Sequence, residues 1–176
     1  LMTIRKFTTR SYGMADLIRT GMLTENQAST LTDAVAKGQN ILIAGATGSG
    51  KSTLLGTLAD AIPDQERILL IEDTAELHIR KPHVVSAESQ NDTHHSRITF
   101  DDLLKAVLRH RPERIIVGEV RGLEARTLLD AMNTGHRGTL ATIHASSSEE
   151  AIYRLALLAI RGATNLVLQT AEDEIR

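Results

Sequence analysis

The chain has 176 residues, of which 41% are hydrophobic, 24% are charged and 2% are aromatic, and its formal net charge is -2. This composition predicts one soluble globular domain with an aliphatic core, and it argues against stacking of single-stranded nucleic acid on aromatic side chains and against general attraction to DNA or anionic lipid. The lack of cysteine excludes disulfides and agrees with a cytoplasmic location, and no apolar run approaches the roughly 18 residues of a membrane span.

Short apolar runs predict strands, and helical patterns separate them. In chain order, the predicted strands cover residues 41–44, 68–71, 83–85, 115–117 and 140–143. The clearest runs are apolar at every position, which is typical of strands buried on both faces of a parallel sheet. The alternation of strands and helices therefore predicts an α/β fold, with a mainly parallel sheet flanked by helices.

Caps and apolar stripes predict the helices. One helix is predicted over residues 52–62, where apolar residues recur at helical spacing before Pro63, which cannot continue a helix. Two pairs have the spacing of N-terminal caps and predict the start of a helix each: Thr24 with Gln27, and Thr99 with Asp102. Two further stripes predict helices over residues 125–132 and 152–158, which end near Gly135 and at Gly162.

The most informative motif lies between the first strand and the helix over residues 52–62. It has the form G-x-x-x-x-G-K-[ST] of a phosphate-binding loop (P-loop) and reads Gly45-Ala46-Thr47-Gly48-Ser49-Gly50-Lys51-Ser52. Its glycines let the backbone turn so that N–H groups and the following helix N-terminus bind an anion. Lys51 is predicted to reach the β- and γ-phosphates of ATP, and the Ser52 hydroxyl to bind Mg²⁺. A chance match is expected in fewer than roughly 1 in 100 chains of this length.

Acidic residues follow two of the predicted strands. Glu72, Asp73 and Glu76 follow the second strand, and Glu119 follows the fourth. Because ligands bind beyond the carboxyl ends of parallel strands, both groups are predicted to face the nucleotide. Glu119 is predicted to orient or deprotonate the attacking water, and Glu72 and Glu119 to act with Ser52 as Mg²⁺ ligands. The alternative is that these are ordinary solvated acids at strand ends.

Histidines and arginines supply further candidates. His144 follows the fifth strand, where it is predicted to sense the γ-phosphate, although a lone histidine is more often structural. His136 precedes that strand and is predicted to be a loop residue. Four arginines near the Glu119 strand are candidates for fingers that bind phosphate across a subunit boundary, with a solvated basic face as the alternative: Arg109, Arg111, Arg114 and Arg121.

Four ordered motifs resemble those of the secretion and traffic ATPases of type II and type IV secretion, pilus motors and conjugation. They are similar to that family's P-loop, aspartate box, glutamate-bearing Walker B motif and histidine box, and they read GATGSGKST (45–53), IEDTAEL (71–77), RHRPERIIVGEVRG (109–122) and NTGHRGTLATIHA (133–145). The resemblance covers residues 4–161. IRKF at residues 4–7 and the last motif are most similar to the conjugal-transfer (TrbB-type) branch.

The resemblance implies a RecA-like P-loop ATPase that uses ATP and Mg²⁺ in a homo-hexameric ring. Such rings act at the cytoplasmic face of the inner membrane with secretion or conjugation components, and they power pilus assembly or substrate export. By analogy, the catalytic set is Lys51, Glu72, Glu119 and His144. The nucleotide-binding set is the loop from Gly45 to Thr53 together with Arg121.

The resemblance also implies an extent for the domain. Residues 1–176 are expected to form a single motor domain, without the N-terminal domain that the family carries. The family's motor domain continues with further strands beyond the equivalent of Ile175, so we expect a sheet truncated at its C-terminal end. A first residue of Leu1 rather than Met agrees with a fragment.

Two other functions stay open on the sequence. A RecA-type nucleic-acid translocase also uses a P-loop, but the four motifs, the small net charge and the few aromatics argue against it, so direct nucleic-acid binding is not expected. DNA-stimulated hydrolysis with a steep salt dependence would favour that function. The other is an ATP-gated assembly subunit without useful turnover, against which Glu119 argues.

Overall fold

In the part of the chain that the structure describes, five parallel strands form one sheet; numbered in chain order, they lie in the order β1-β5-β4-β2-β3. The strands are β1 (Ile41–Ala44), β2 (Ile68–Glu72), β3 (Val84–Glu88), β4 (Arg114–Val117) and β5 (Leu140–Ile143). The structure is a computed structural model that describes residues 12–89, 98–162 and 167–175. Residues 4–7, which carry the first part of the family resemblance, lie outside the described residues.

All five predicted strands are present, and three differ from their predicted bounds. β4 begins at Arg114, one residue earlier than predicted. β2 includes Glu72, which is buried like the rest of the strand. β3 begins at Val84 and extends to Glu88. Because β3 is an edge strand with exposed positions along its length, its second half is not an apolar run. The apolar-run criterion therefore ended the strand too early.

Seven α-helices accompany the strands in the described ranges. They are α1 (Met14–Arg19), α2 (Glu25–Ala36), α3 (Lys51–Ala59), α4 (Phe100–Val107), α5 (Glu124–Asn133), α6 (Ser148–Arg161) and α7 (Leu168–Ile175), and a 3₁₀ turn (Leu108–His110) follows α4. Both predicted capping boxes are confirmed: the side chain of Thr24 accepts from Gln27 N, and that of Thr99 accepts from Asp102 N. Within these ranges, no helix is both long and apolar enough to cross a membrane.

One predicted helix end was wrong. The helix after the P-loop ends at Ala59, with Asp60 as its C-cap, rather than continuing to residue 62. Ile62 is nevertheless only 1% exposed, because the turn after α3 still folds back onto the core. The apolar residue at position 62 therefore correctly indicated a buried position, but it did not indicate a helical one. Helices α1 and α7 were not predicted.

The sheet separates two apolar clusters. In β2, Leu69 and Ile71 pack in a cluster that includes residues of α4, α5 and α6, whereas Ile68 and Leu70 pack in a cluster with residues of α2 and α3. Successive residues of a strand point to opposite faces, so a strand covered by helices on both faces must be apolar throughout. This arrangement confirms the predicted α/β fold and aligns the carboxyl ends of the strands at one edge.

Candidate nucleotide-binding site

The P-loop connects β1 to α3 at the carboxyl edge of the sheet. Gly48 and Gly50 have φ values of +76° and +95°, a region that side-chain-bearing residues rarely adopt. Gly50 is the N-cap of α3, so the loop passes directly into the first turn of that helix. The first N–H groups of a helix have no intrahelical partner, and they bind anions well.

Lys51 begins α3 and reaches back over the loop. Its Nζ donates a hydrogen bond of 2.9 Å to the main-chain oxygen of Ala46, and Ser49 N donates one of 3.2 Å to the same oxygen. Ser52 follows on the first turn of α3 and is exposed. The structure thus places the lysine and the hydroxyl group on one short turn.

The α1–α2 connection contacts the P-loop. A Cβ atom at position 50 would lie 2.9 Å from Cε of Met22, so Met22 packs against Gly50. Thr57 of α3 donates a 3.0 Å hydrogen bond to the main-chain oxygen of Tyr12. The beginning of the described chain is therefore anchored on the helix that carries the P-loop, a contact that sequence patterns did not indicate.

Glu119 lies two residues beyond β4. Its Oε2 accepts a 2.6 Å hydrogen bond from Nη2 of Arg121. Burial acts to raise the pKa of Glu119, but the hydrogen bond and charge of Arg121, with the charges of Lys51 and His144, hold that pKa below its ordinary value. The cations of the P-loop and of the β5 end therefore act on the same carboxylate.

Glu72 lies at the end of β2 and organises the loop that follows. It is 5% exposed, and its Oε1 accepts hydrogen bonds from the main-chain nitrogens of Glu76 (3.2 Å) and Leu77 (3.1 Å). Burial raises the pKa of Glu72, against the lowering effect of those two bonds. A Cβ atom at Gly118 would lie 3.2 Å from Cγ of Glu72, so this carboxylate packs against the strand that leads to Glu119.

Asp73 belongs to the same loop and lies beside Arg121. Its Oδ2 is 3.5 Å from Nη1 of Arg121, and its Oδ1 accepts from the hydroxyl of Ser89 at 2.9 Å. Glu88, at the end of β3, accepts from Ala75 N at 2.5 Å. The structure therefore brings Asp73 to the Glu119 pair, and it adds Glu88, which sequence reasoning missed, as a support of the loop.

A second support that sequence reasoning missed is Glu124, in the first turn of α5. It is 6% exposed, and its Oε1 accepts from Arg121 N at 2.6 Å and from Gly122 N at 2.8 Å. The main chain after Glu119 is thus fixed by a buried carboxylate. Acidic residues are common in first turns because of the helix dipole, so the pattern gave no special signal.

His144 and His136 lie at opposite ends of β5. His144 follows the carboxyl end, is exposed, and lies near enough to influence the titration of both Glu119 and Glu150. His136 precedes β5, where its main-chain oxygen accepts from the Thr139 hydroxyl at 3.1 Å. The structure therefore places His144 with Lys51 and Glu119, and His136 in a turn away from them, as predicted.

The prediction that Arg114 is a candidate finger was wrong. Arg114 is 4% exposed, and its guanidinium is paired with Glu66 through Nε and through Nη2 at 3.2 Å. It begins β4, at the amino edge of the sheet, so it faces away from the P-loop. Arg109 and Arg111 are exposed and precede the same strand. Arg121 alone of the four lies beside Glu119.

The donor set suits a magnesium ion that arrives with a nucleotide. In the part of the chain that the structure describes, no group of three or more His, Asp or Glu side chains is arranged to hold a metal ion. Mg²⁺ in such sites takes most of its ligands from phosphates and water, with one or two protein oxygens. The exposed hydroxyl of Ser52 and the carboxylate of Glu119 fit that role better than Glu72, because one oxygen of Glu72 already serves two N–H groups.

The chain is similar to known proteins over most of its length. The family model described as "Type II/IV secretion system protein" matches residues 1–171. The conjugal transfer protein TrbB of Rhizobium radiobacter is 37% identical over 177 residues, which are 98% of this chain and 53% of that protein. The type IV secretion system protein VirB11 of Bartonella quintana is 43% identical over 131 residues, 74% of this chain and 37% of that protein.

A solved structure shows the same fold. The crystal structure of the VirB11 ATPase from the Brucella suis type IV secretion system, in complex with sulphate, matches with a TM-score of 0.79 and 30% identity, over 95% of this chain and 49% of that one. The chain therefore spans about half the length, or less, of these relatives.

Proposed function

Since this chain belongs to the type II/IV secretion system protein family, we propose that it binds and hydrolyses ATP to power a secretion or conjugation machine. The observation that carries the proposal is the position of Lys51, on a P-loop whose turn is made by Gly48 and Gly50, at the same edge of the parallel sheet as Glu119, which follows β4. A phosphate-binding lysine beside an acid is the arrangement that phosphoryl transfer to water requires.

Each residue has a role in this proposal. The loop from Gly45 to Thr53 and the start of α3 bind the phosphates, and Lys51 neutralises charge on the β- and γ-phosphates. Ser52 contributes an oxygen to Mg²⁺, which stabilises the charge that develops on the phosphates. Glu119 orients the attacking water and accepts its proton.

Two acids and a histidine complete the proposed site. Glu72 keeps the loop after β2 in place through its two N–H bonds, and in that position it supports Mg²⁺ and water indirectly. His144, at the end of the strand between β1 and β4, lies where it can respond to the terminal phosphate.

Family membership supports a proposal for the setting of the activity. We propose a homo-oligomer, a hexameric ring, that works at the cytoplasmic face of the inner membrane with secretion or conjugation components. Relatives of this chain are named for conjugal transfer and type IV secretion. Residues 1–176 are proposed to form its motor domain. The ring is tested by mass measurement in solution with and without Mg-ATP.

The decisive experiment measures Mg-ATP binding by calorimetry in the wild type, in Lys51→Ala and in Lys105→Ala. Lys105 is a matched control because it is an exposed lysine of α4 whose ammonium pairs with Asp101 of the same helix. We expect micromolar-range binding in the wild type and in the control, and none in Lys51→Ala. Equal binding in all three folded proteins would refute the P-loop function.

A further inference from the structure

Arg121 connects two segments that end neighbouring strands. Its Nη2 donates to Oε2 of Glu119 at 2.6 Å, and its Nη1 lies 3.5 Å from Oδ2 of Asp73. Glu119 follows β4 and Asp73 follows β2, which pair in the sheet. One guanidinium therefore holds the acid proposed to activate water and an acid of the adjacent loop at the same time.

The main chain and the side chain of Arg121 differ in freedom. The N–H groups of Arg121 and Gly122 are fixed by the buried carboxylate of Glu124, at 2.6 and 2.8 Å. The side chain of Arg121 is 63% exposed, so it can change rotamer without disturbing packed neighbours. A long cationic side chain on a fixed, partly buried backbone can exchange partners while its attachment point stays in place.

The γ-phosphate of ATP is an alternative partner for Arg121, because several positive charges surround Glu119. Lys51, Arg121 and His144 all act on that carboxylate, and Arg121 also experiences Asp73 and Glu76. The P-loop follows β1 and Glu119 follows β4 at the same edge of the parallel sheet, so a terminal phosphate held by Lys51 would lie at the edge where the exposed guanidinium is free to move. Arginine binds phosphate oxygens through two parallel N–H groups, so one γ-phosphate can replace both of the carboxylate contacts that the guanidinium gives up.

Resting on the function proposed above, we propose that Arg121 acts within its own chain as the residue that distinguishes ATP from ADP. In the structure it holds Glu119 and Asp73. When ATP binds at Lys51, the guanidinium transfers to the γ-phosphate and releases Glu119 for the attacking water. ADP offers no γ-phosphate, so with ADP the pairs with Glu119 and Asp73 persist. Arg121 is thus a positioning and specificity residue, in addition to any action across subunits.

The first test compares the binding of Mg-ADP and of a non-hydrolysable Mg-ATP analogue in the wild type, Arg121→Ala and Arg121→Lys. We expect Arg121→Ala to weaken the analogue about tenfold or more, the scale of one charge-assisted hydrogen bond, and to change ADP affinity less than about twofold. Arg121→Lys keeps the positive charge but cannot donate two parallel N–H groups, so its affinity for the analogue should lie between those of the wild type and Arg121→Ala. Arg80→Ala is the control, since Arg80 is 66% exposed, pairs with Asp60 at 3.0 Å, and should alter neither affinity.

A second test uses the competition between acid and phosphate. Asp73→Asn weakens the pair between Arg121 and Asp73 that exists without ATP. The substitution should therefore raise the affinity for the analogue about two- to fivefold when Arg121 is present, and should have no effect in the Arg121→Ala background. A double-mutant cycle measures this difference. If Arg121→Ala leaves the ratio of the affinities for the analogue and for ADP unchanged while ADP still binds through Lys51, the inference about Arg121 is overturned and the proposed function is not. Failure of the wild type to bind either nucleotide would overturn the proposed function as well.

Discussion

The main-chain oxygen of Ala46 accepts a 2.9 Å hydrogen bond from Nζ of Lys51, five residues later in the chain. This bond folds the lysine back over its own loop and places the ammonium group above the turn that Gly48 and Gly50 make. A flexible lysine loses rotamer freedom when it binds a phosphate. Because the loop already restrains Lys51, part of that entropy loss occurs on folding rather than on binding.

Replacing Glu119 by Gln should separate binding from turnover. Gln keeps an oxygen that can accept from Arg121, but it cannot take a proton from water. We expect Mg-ATP affinity within about threefold of the wild type and at least about 100-fold slower phosphate release, the usual effect of losing a general base. Phosphate release at saturating Mg-ATP measures this. Glu25→Gln, at an exposed position of α2, is the control, and unchanged turnover in Glu119→Gln would remove Glu119 from the mechanism.

Replacing Glu72 by Gln should stabilise the fold in a pH-dependent way. Burial raises the pKa of Glu72 in the folded state, so the wild type loses stability as pH rises from the ordinary glutamate pKa through the raised value. Gln keeps an oxygen for Glu76 N and Leu77 N and has no charge to bury. We expect Glu72→Gln to match the wild type at acid pH and to exceed it at neutral pH.

Urea unfolding at several pH values, with a chelator present, measures this difference. The gain should grow across the window above the ordinary glutamate pKa and then level off. A gain that is the same at every pH, or one that is largest in acid, would contradict the raised pKa of Glu72.

Replacing Glu124 by Ala should loosen the segment that carries Arg121. The substitution leaves Arg121 N and Gly122 N without their acceptor, and an orphaned buried N–H costs about 1–3 kcal/mol. We expect a loss of stability in that range and faster hydrogen exchange at these two amides. Glu124→Gln retains an acceptor oxygen and should restore most of the protection. Exchange that is equally slow in Glu124→Ala would show that other groups fix the segment.

Replacing Gly138 by Ala should cost more than replacing Gly21 by Ala, although both glycines have φ near +75°. A Cβ atom at position 21 has no neighbour within 4 Å, whereas one at position 138 would overlap Nη1 of the buried Arg114. We expect about 1–2 kcal/mol for Gly21→Ala from backbone strain, and at least about 2 kcal/mol more for Gly138→Ala from overpacking. Denaturant unfolding measures the loss of unfolding free energy in both variants. Equal losses would mean that the Arg114 side chain can move away from the added Cβ atom without destabilising the fold.

The sequence was sufficient to locate the strands and to predict which candidate site residues lie at their carboxyl edge. Apolar runs located all five strands, and the rule that parallel strands end at one edge placed Lys51, Glu119 and His144 together. Each of these residues is recognised from local sequence alone, and the parallel sheet brings them to the same edge. The bounds of β3 and the end of α3 were misjudged because an edge strand carries exposed positions and because a buried turn can be as apolar as a helix.

Pairings between distant residues were not predictable. Arg114 precedes an apolar run, as many solvated residues do, and its burial depends on Glu66, 48 positions away, and on the open space at Gly138. Glu88 and Glu124 support their loops through main-chain N–H groups, a contact that leaves no trace in residue spacing. In each case the deciding partner is set by tertiary packing.

The strand order has a consequence for synthesis of the protein. β5 lies between β1 and β4 in the sheet, yet among the described residues it is the last strand in chain order. A nascent polypeptide whose residues 140–143 are still in the ribosome has a complete P-loop and a complete β4, but nothing to join them. Because domains fold as units once their long-range pairs can form, the ability to bind ATP should emerge abruptly and late, after β5 has left the exit tunnel.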